Sequence, residues 1–205
     1  MITLYRETDD MSFNACKKPT QYRRLTWALN FFHSILWCRR KYDHLGWSSH
    51  YNFNHVDHSI TLEKMRQYLN VSEDRNVDVP YKDLLALTSE VYYGGHVSNA
   101  RELQVLKYLL TDFFTPLIME EKYAFTPKET YHLPADGGIA IDSYLNQLPL
   151  FDDPEVLGYH DNMKSLHNYY EGREFFLSFQ KMFSLTNETN IHIHLDKIKS
   201  ICYVK

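Results

Sequence analysis

The stretch from about Gln21 to His44 constrains the fold of this chain more than any other. Leu25, Ala28, Leu29, Phe32, Ile35 and Leu36 recur at three- and four-residue spacing, the period of one helix face. Trp27, Phe31 and Trp37 widen that face, so the helix is expected to be buried on more than one side. Arg39, Arg40 and Lys41 stand in its last turns, where cations complement the helix dipole, and Gly46 follows as a stop signal. These cations, with Arg23 and Arg24 near the other end, are expected as solvated helix ends.

Shorter helices are expected to surround this one. Trp47 to Val56 reads as an aromatic, His- and Asn-rich connector. A second helix then begins near Ser59 or Thr61, either of which can cap it, and turns Leu62, Met65 and Leu69 inward. After a polar loop from Val71 to Val79, Pro80 suits the first position of a third helix carrying Leu84, Leu85, Leu87 and Val91, with Gly94-Gly95 ending it. Asn99 opens a fourth, with Glu102 in capping-box position, a stripe from Leu103 to Phe114, and Pro116 closing it. Lys122 to Asp136 breaks into an extended segment or short hairpin, and Ile139 to Leu148 forms a fifth helix ahead of Pro149. The expected fold is mainly α, a compact helical bundle to about residue 150 with one short extended or hairpin segment.

Composition excludes several classes. Gly and Pro number only 7 each in 205 residues, which argues against a sandwich or barrel made of many tight turns. A formal net charge of −4 offers no cationic excess to neutralise a phosphate backbone, so no nucleic-acid partner is expected. No stretch approaches a membrane span and no apolar leader opens the chain, so no membrane partner is expected either. Cys16, Cys38 and Cys202 are odd in number and widely spaced, which fits a reducing cytosolic compartment rather than a disulfide framework. Asn70-Val71-Ser72 and Asn187-Glu188-Thr189 match the glycosylation triplet but carry no weight without secretion.

Chemistry is sparse. No GxxxxGK[ST] phosphate cradle exists, and Gly94-Gly95 and Gly137-Gly138 are isolated pairs without the Lys and hydroxyl that meet phosphate and magnesium. No GxSxG elbow and no HExxH appear. His50, His55 and His58 could place two imidazoles on one metal, but a polar lead into a helix explains them more simply. His192 and His194 share one side of any strand, yet lack further ligands. Asp152-Asp153-Pro154-Glu155 could mimic paired catalytic carboxylates, and a turn after a helix is the commoner origin of such a run. No catalytic, cofactor or metal residue is therefore assigned, and no cofactor is expected.

Three segments resemble the C-terminal motor region of dynein heavy chains. They run from Arg24-Leu25-Thr26-Trp27 through Arg39-Arg40-Lys41 to Tyr51-Asn52-Phe53-Asn54, from Val79-Pro80-Tyr81 to Tyr93-Gly94-Gly95-His96-Val97, and from Leu148-Pro149-Leu150-Phe151-Asp152-Asp153-Pro154-Glu155 to Asn162. Order and spacing agree over about Ile2 to Asn162, and the Arg-Arg-Lys and Asp-Asp-Pro-Glu-Val wording is closer to the axonemal branch. The resemblance implies a helical lid of the sixth AAA+ module over residues 1–149. Residues 150–205 would then open the C-terminal domain, leaving the family pattern after about Asn168 through truncation or misjoining, with a divergent C-terminal segment as the alternative. It also implies a non-catalytic part of an ATP-driven microtubule motor in a cilium or flagellum. Its partners would be neighbouring modules of the same heavy chain and dynein complex subunits, with the microtubule reached only through the parent motor. A free-standing helical adaptor is the competing expectation. Two departures stand out: the family's Arg after Gly-Gly is His96 here, and its Thr-Asp is Ser98-Asn99. Histidine cannot pair bidentately with a carboxylate as arginine can, whereas Asn99 keeps the ability to cap a helix.

Overall fold

The computed structural model describes residues 2–8, 13–120, 123–126, 129–133, 138–149, 154–159 and 164–186. The chain divides into two compact units, Met1–Tyr159 and His160–Lys205. The first contains helices α1 (Ile2–Glu7), α2 (Pro19–Arg39), α3 (His55–Asp74), α4 (Tyr81–Ala86), α5 (Ala100–Thr111) and α6 (Gly138–Gln147), with short 3-10 turns between them. The second contains α7 (Lys164–Thr186).

The central helix α2 starts with Pro19 in its first turn, where the missing N–H costs nothing. Leu25, Ala28, Leu29, Phe32 and Leu36 are sealed from solvent, and α2 packs against α1, α3 and the turns Arg40–Leu45, Pro116–Met119 and Pro154–Leu157. Aromatic rings fill the gaps. Tyr5 of α1 stacks on Trp27 at 4.7 Å, and Phe31 meets Phe125 and Tyr131 at 5.1 Å each. Burial on several sides is thus what the sequence predicts, except that Trp37 turns outward and is 51% exposed. The helix also stops at Arg39, and residues Arg40–Leu45 tighten into a 3-10 turn.

Several helix boundaries differ from the sequence expectation, each for an identifiable reason. Helix α3 begins at His55 because Asn54 caps it: its side chain accepts from the Val56 and Asp57 amides, while Asp57 accepts from the Asn54 amide. Ser59 and Thr61 lie inside the helix and bond back to the carbonyls of His55 and Asp57. Pro80 occupies the position before α4 rather than its first turn. Asn99 caps α5 as expected, but Glu102 leaves the capping box and reaches Ser48 and Tyr51 instead. Pro116 does not close α5, which ends at Thr111; it starts a 3-10 turn capped by Thr115.

After α4 the backbone widens into a π-helical stretch, Leu87–Tyr92, then tightens into the 3-10 turn Gly94–His96. Where an extended segment or short hairpin is expected, the described residues form an antiparallel bridge, Ala124 to His132, with the Phe125 amide donating to the Tyr131 carbonyl at 2.7 Å. The first unit runs through Tyr159 because Val156 and Leu157 are buried in its core. In the second unit the residues from Glu171 to Phe176 sit inside one continuous helix, where Phe179 and Phe183 pack one turn apart at 5.1 Å.

Two adjacent glycines make a contrast that can be measured. A Cβ on Gly94 would lie 1.9 Å from the Ser89 carbonyl oxygen, whereas one on Gly95 would meet open space. Gly94→Ala is expected to lower unfolding free energy by about 3 kcal/mol, and Gly95→Ala by less than about 1 kcal/mol, in urea titrations of both variants.

Candidate functional site

The end of α2 organises a clasp that the sequence pattern does not predict. Arg39, expected as a solvated cation, is only 5% exposed. Its Nη1 donates to the Leu157 carbonyl and its Nη2 to the Gly46 carbonyl at 3.1 Å. The guanidinium lies 5.0 Å from the Trp47 ring centre and 4.5 Å from that of Tyr159. Tyr159 in turn donates to the Leu45 carbonyl at 3.1 Å. Burial pushes the Arg39 pKa down, opposed by Tyr159 and Glu102. Carbonyl dipoles and two aromatic faces replace water around the cation.

Glycines make the clasp possible. A Cβ on Gly46 would fall 1.6 Å from the Arg39 carbonyl oxygen. Gly158 has φ +72°, the left-handed region open to glycine, and a Cβ there would strike Leu109. Arg40, next to Arg39 in the chain, behaves as expected of an outer cation, lying over Trp37 at 5.3 Å and donating to His50 Nε2 at 3.0 Å. Arg24, also expected to be solvated, instead donates to the carbonyls of Ile118 and Glu120.

Of the histidines weighed above as ligands, His50 stands apart from the other two. His50 is exposed beside Arg40, while His58 is buried and bonds through Nε2 to Asn30 Oδ1 at 2.7 Å. His55 stacks on His58 with ring centres 5.7 Å apart and planes at 18°. Among the described residues no group of three or more His, Cys, Asp or Glu is placed to hold a metal ion. His192 and His194 lie outside the described residues, as do Asp152 and Asp153, while Glu155 belongs to the 3-10 turn Pro154–Leu157.

His96 keeps a carboxylate contact through one bond. Its Nε2 lies 2.9 Å from Asp57 Oδ1, and the other Asp57 oxygen accepts from the Asn54 amide. The Gly-Gly-His turn is therefore joined to the start of α3. His33, absent from the sequence candidates, bonds through Nδ1 to the Tyr93 hydroxyl at 2.9 Å. Its signal was available as an imidazole inside the apolar period of α2. Burial and the neighbouring His58 and His55 lower the His33 pKa to about 3, and burial with His55 lowers that of His58 to about 4.

A second apolar stripe runs along the outside of α3. Val56, Ile60, Tyr68 and Val71 recur on one side of the helix and are all exposed, while Asp57, Thr61, Met65, Leu69 and Ser72 face inward. Tyr108 on α5 is 72% exposed. What this body offers is thus contact surface around a clasped interior.

The family profile described as "Dynein heavy chain AAA lid domain" matches residues 22–163, nearly the whole clasped body from α2 onward. The chain belongs to the dynein heavy chain AAA lid domain family. It is 34% identical over 178 residues to dynein axonemal heavy chain 2 of Mus musculus, an alignment covering 86% of this chain. It is 35% identical over 156 residues to dynein axonemal heavy chain 3 of Mus musculus, covering 76% of this chain. It is also 33% identical over 164 residues, 79% of this chain, to the dynein-1-beta heavy chain of the flagellar inner arm I1 complex of Chlamydomonas reinhardtii. In each alignment the chain spans only 4% of the relative's own length. All three clasp elements of the lid lie inside the matched span: the end of α2, the Gly46-Trp47 loop and the turn ending at Tyr159.

Cutting the lid's clasp separates two adjacent arginines. Arg39→Ala is expected to cost about 3 kcal/mol of unfolding free energy, because two buried carbonyls lose their donor and two rings lose their cation. Arg40→Ala is expected to cost less than about 1 kcal/mol. Midpoints of chemical denaturation for the two variants measure the difference.

Proposed function

We propose that this chain is the non-catalytic lid of the sixth AAA+ module in an axonemal dynein heavy chain, followed by the opening of its C-terminal domain. Its contribution to the parent is mechanical. The parent would be an ATP-driven microtubule motor of ciliary or flagellar movement, located with the cytoskeleton. The observation that carries this reading is the coincidence of the family match over residues 22–163 with a single compact helical unit. The axonemal and flagellar names of the relatives support the choice of branch.

The structure gives such a part the properties the role needs. Arg39 ties points 118 residues apart in the chain, which supports a part that moves as one body. The exposed stripe of α3 and Tyr108 supply surface for neighbouring modules of the same heavy chain and for other subunits of the complex. The absence of a GxxxxGK[ST] run in the sequence supports assigning nucleotide chemistry to other modules. On this reading the chain needs no cofactor, and contacts neither nucleic acid nor membrane; the microtubule is reached through the parent motor.

Calorimetric titration of the purified chain with magnesium ATP is expected to show no binding heat. Stoichiometric binding at micromolar affinity would overturn the non-catalytic assignment. In a pull-down against the preceding AAA+ modules of the parent, Ile60→Asp is expected to weaken capture by about tenfold, equal to ~1.4 kcal/mol, with the melting temperature unchanged. Equal capture of both forms would remove the α3 stripe from the contact.

A further inference from the structure

Two buried imidazoles face each other across the seam between α2 and α3. His33 and His58 are each 4% exposed, and their ring centres lie 5.1 Å apart. His58 donates from Nε2 to Asn30 Oδ1, and Asn30 donates onward to Thr8 Oγ1 at 2.9 Å, which donates to the Leu4 carbonyl. This relay joins α3, α2 and the end of α1. It uses one nitrogen of His58; the other, Nδ1, is buried and has no hydrogen-bond partner among the described residues.

We propose that His33 and His58 form a proton-sensitive latch, closing α2 on α3 while both rings are neutral and opening the amino-terminal half of α3 when they are protonated. A proton on His58 Nδ1 would create a buried N–H with no acceptor, beside a second imidazole at 5.1 Å. His33 Nδ1 meets the Tyr93 hydroxyl at 2.9 Å, so a proton added to this ring would place a buried cation between that phenol and the His58 imidazole.

The charges around the seam favour neutrality. From α3, His55 stacks on His58 and disfavours charge on both rings. Asp57 is the opposing carboxylate, but its oxygens are already engaged by His96 and the Asn54 amide. His96, on the Gly94–His96 turn, meets Asp57 Oδ1 through Nε2 at 2.9 Å. Tyr93 completes the wall and carries no charge near neutral pH, because burial raises its pKa.

The sign follows from the folded-state values of about 3 for His33 and about 4 for His58 against an ordinary 6.5 once the seam opens. The latch is fully closed above pH 6.5 and weakens as pH falls toward those two values. Between pH 7.5 and 5.0 each histidine raises the opening equilibrium by about 30-fold, and the two together by up to about 1,000-fold.

Amide hydrogen exchange on the full chain at pH 7.5 and 5.0, corrected for intrinsic rates, tests this. Protection at residues 56–65 is expected to fall by about 100-fold or more, while amides of α5 lose less than about tenfold. Single variants His33→Gln and His58→Gln are each expected to remove about 30-fold of that loss, and His96→Arg to keep all of it. A loss under about threefold in the unmodified chain, or one shared equally by α5, overturns the proposal. These readouts stand even where a Gln variant fails to fold. Full pH sensitivity in folded Gln variants also overturns it.

Discussion

A guanidinium held between two rings and two carbonyls is the interaction on which the rest of this body depends. Arg39 carries its charge into a place where water is largely excluded, so every group around it must substitute for hydration. That requirement explains features that otherwise look unrelated. Gly46 must lack a side chain for its loop to pass the last turn of α2, and Gly158 must adopt a left-handed backbone for Tyr159 to reach the cation. Trp47 is buried because it is one wall of the clasp, and its neighbour Ser48 joins Tyr51 in binding Glu102, the acidic group that senses Arg39 from a distance.

The interior of α2 shows how far residue pattern reaches. Leu25, Leu29, Phe32 and Leu36 are legible as core from their spacing alone, because apolar side chains on a helix have few other places to go. Arg39 and Trp37 exchange the places that residue type suggests, and no periodicity could reveal it. The fate of Arg39 depends on contacts with Leu157 and Tyr159, more than a hundred residues away, while Trp37 lies outside under Arg40. The α3 cap lies between these cases. Asn54 and Asp57 carry the capping-box spacing in plain view, yet the hydroxyls of Ser59 and Thr61 offered a rival start. Reciprocal bonds at Asn54 decide it, and they also explain why the first turn of α3 can accept His96 as a tether.

The candidate site divides along the same line. The missing phosphate loop is a linear property and can be read directly from the chain. The family resemblance is linear too, and the match over residues 22–163 bears it out. The parting of His50 from His58 is not linear: one side chain turns to Arg40 and the other into the seam with α2. His33 shares the period of the core, so its polar role emerges only once Tyr93 and His58 are placed against it.

The π-helical stretch Leu87–Tyr92 carries one further consequence. Its bonds close over one residue more than an α-helical turn, as in the Tyr93 amide donating to the Thr88 carbonyl at 3.0 Å. An added residue in a helix rotates everything beyond it about the axis, so the widened turn sets the direction from which Tyr93 enters the core. Chain length at this point is therefore as constrained as side-chain identity. A relative one residue shorter between Leu87 and Tyr92 would regain a regular helix and turn its tyrosine away from the His33 imidazole, so insertions and deletions here carry structural meaning that counts of identical residues miss.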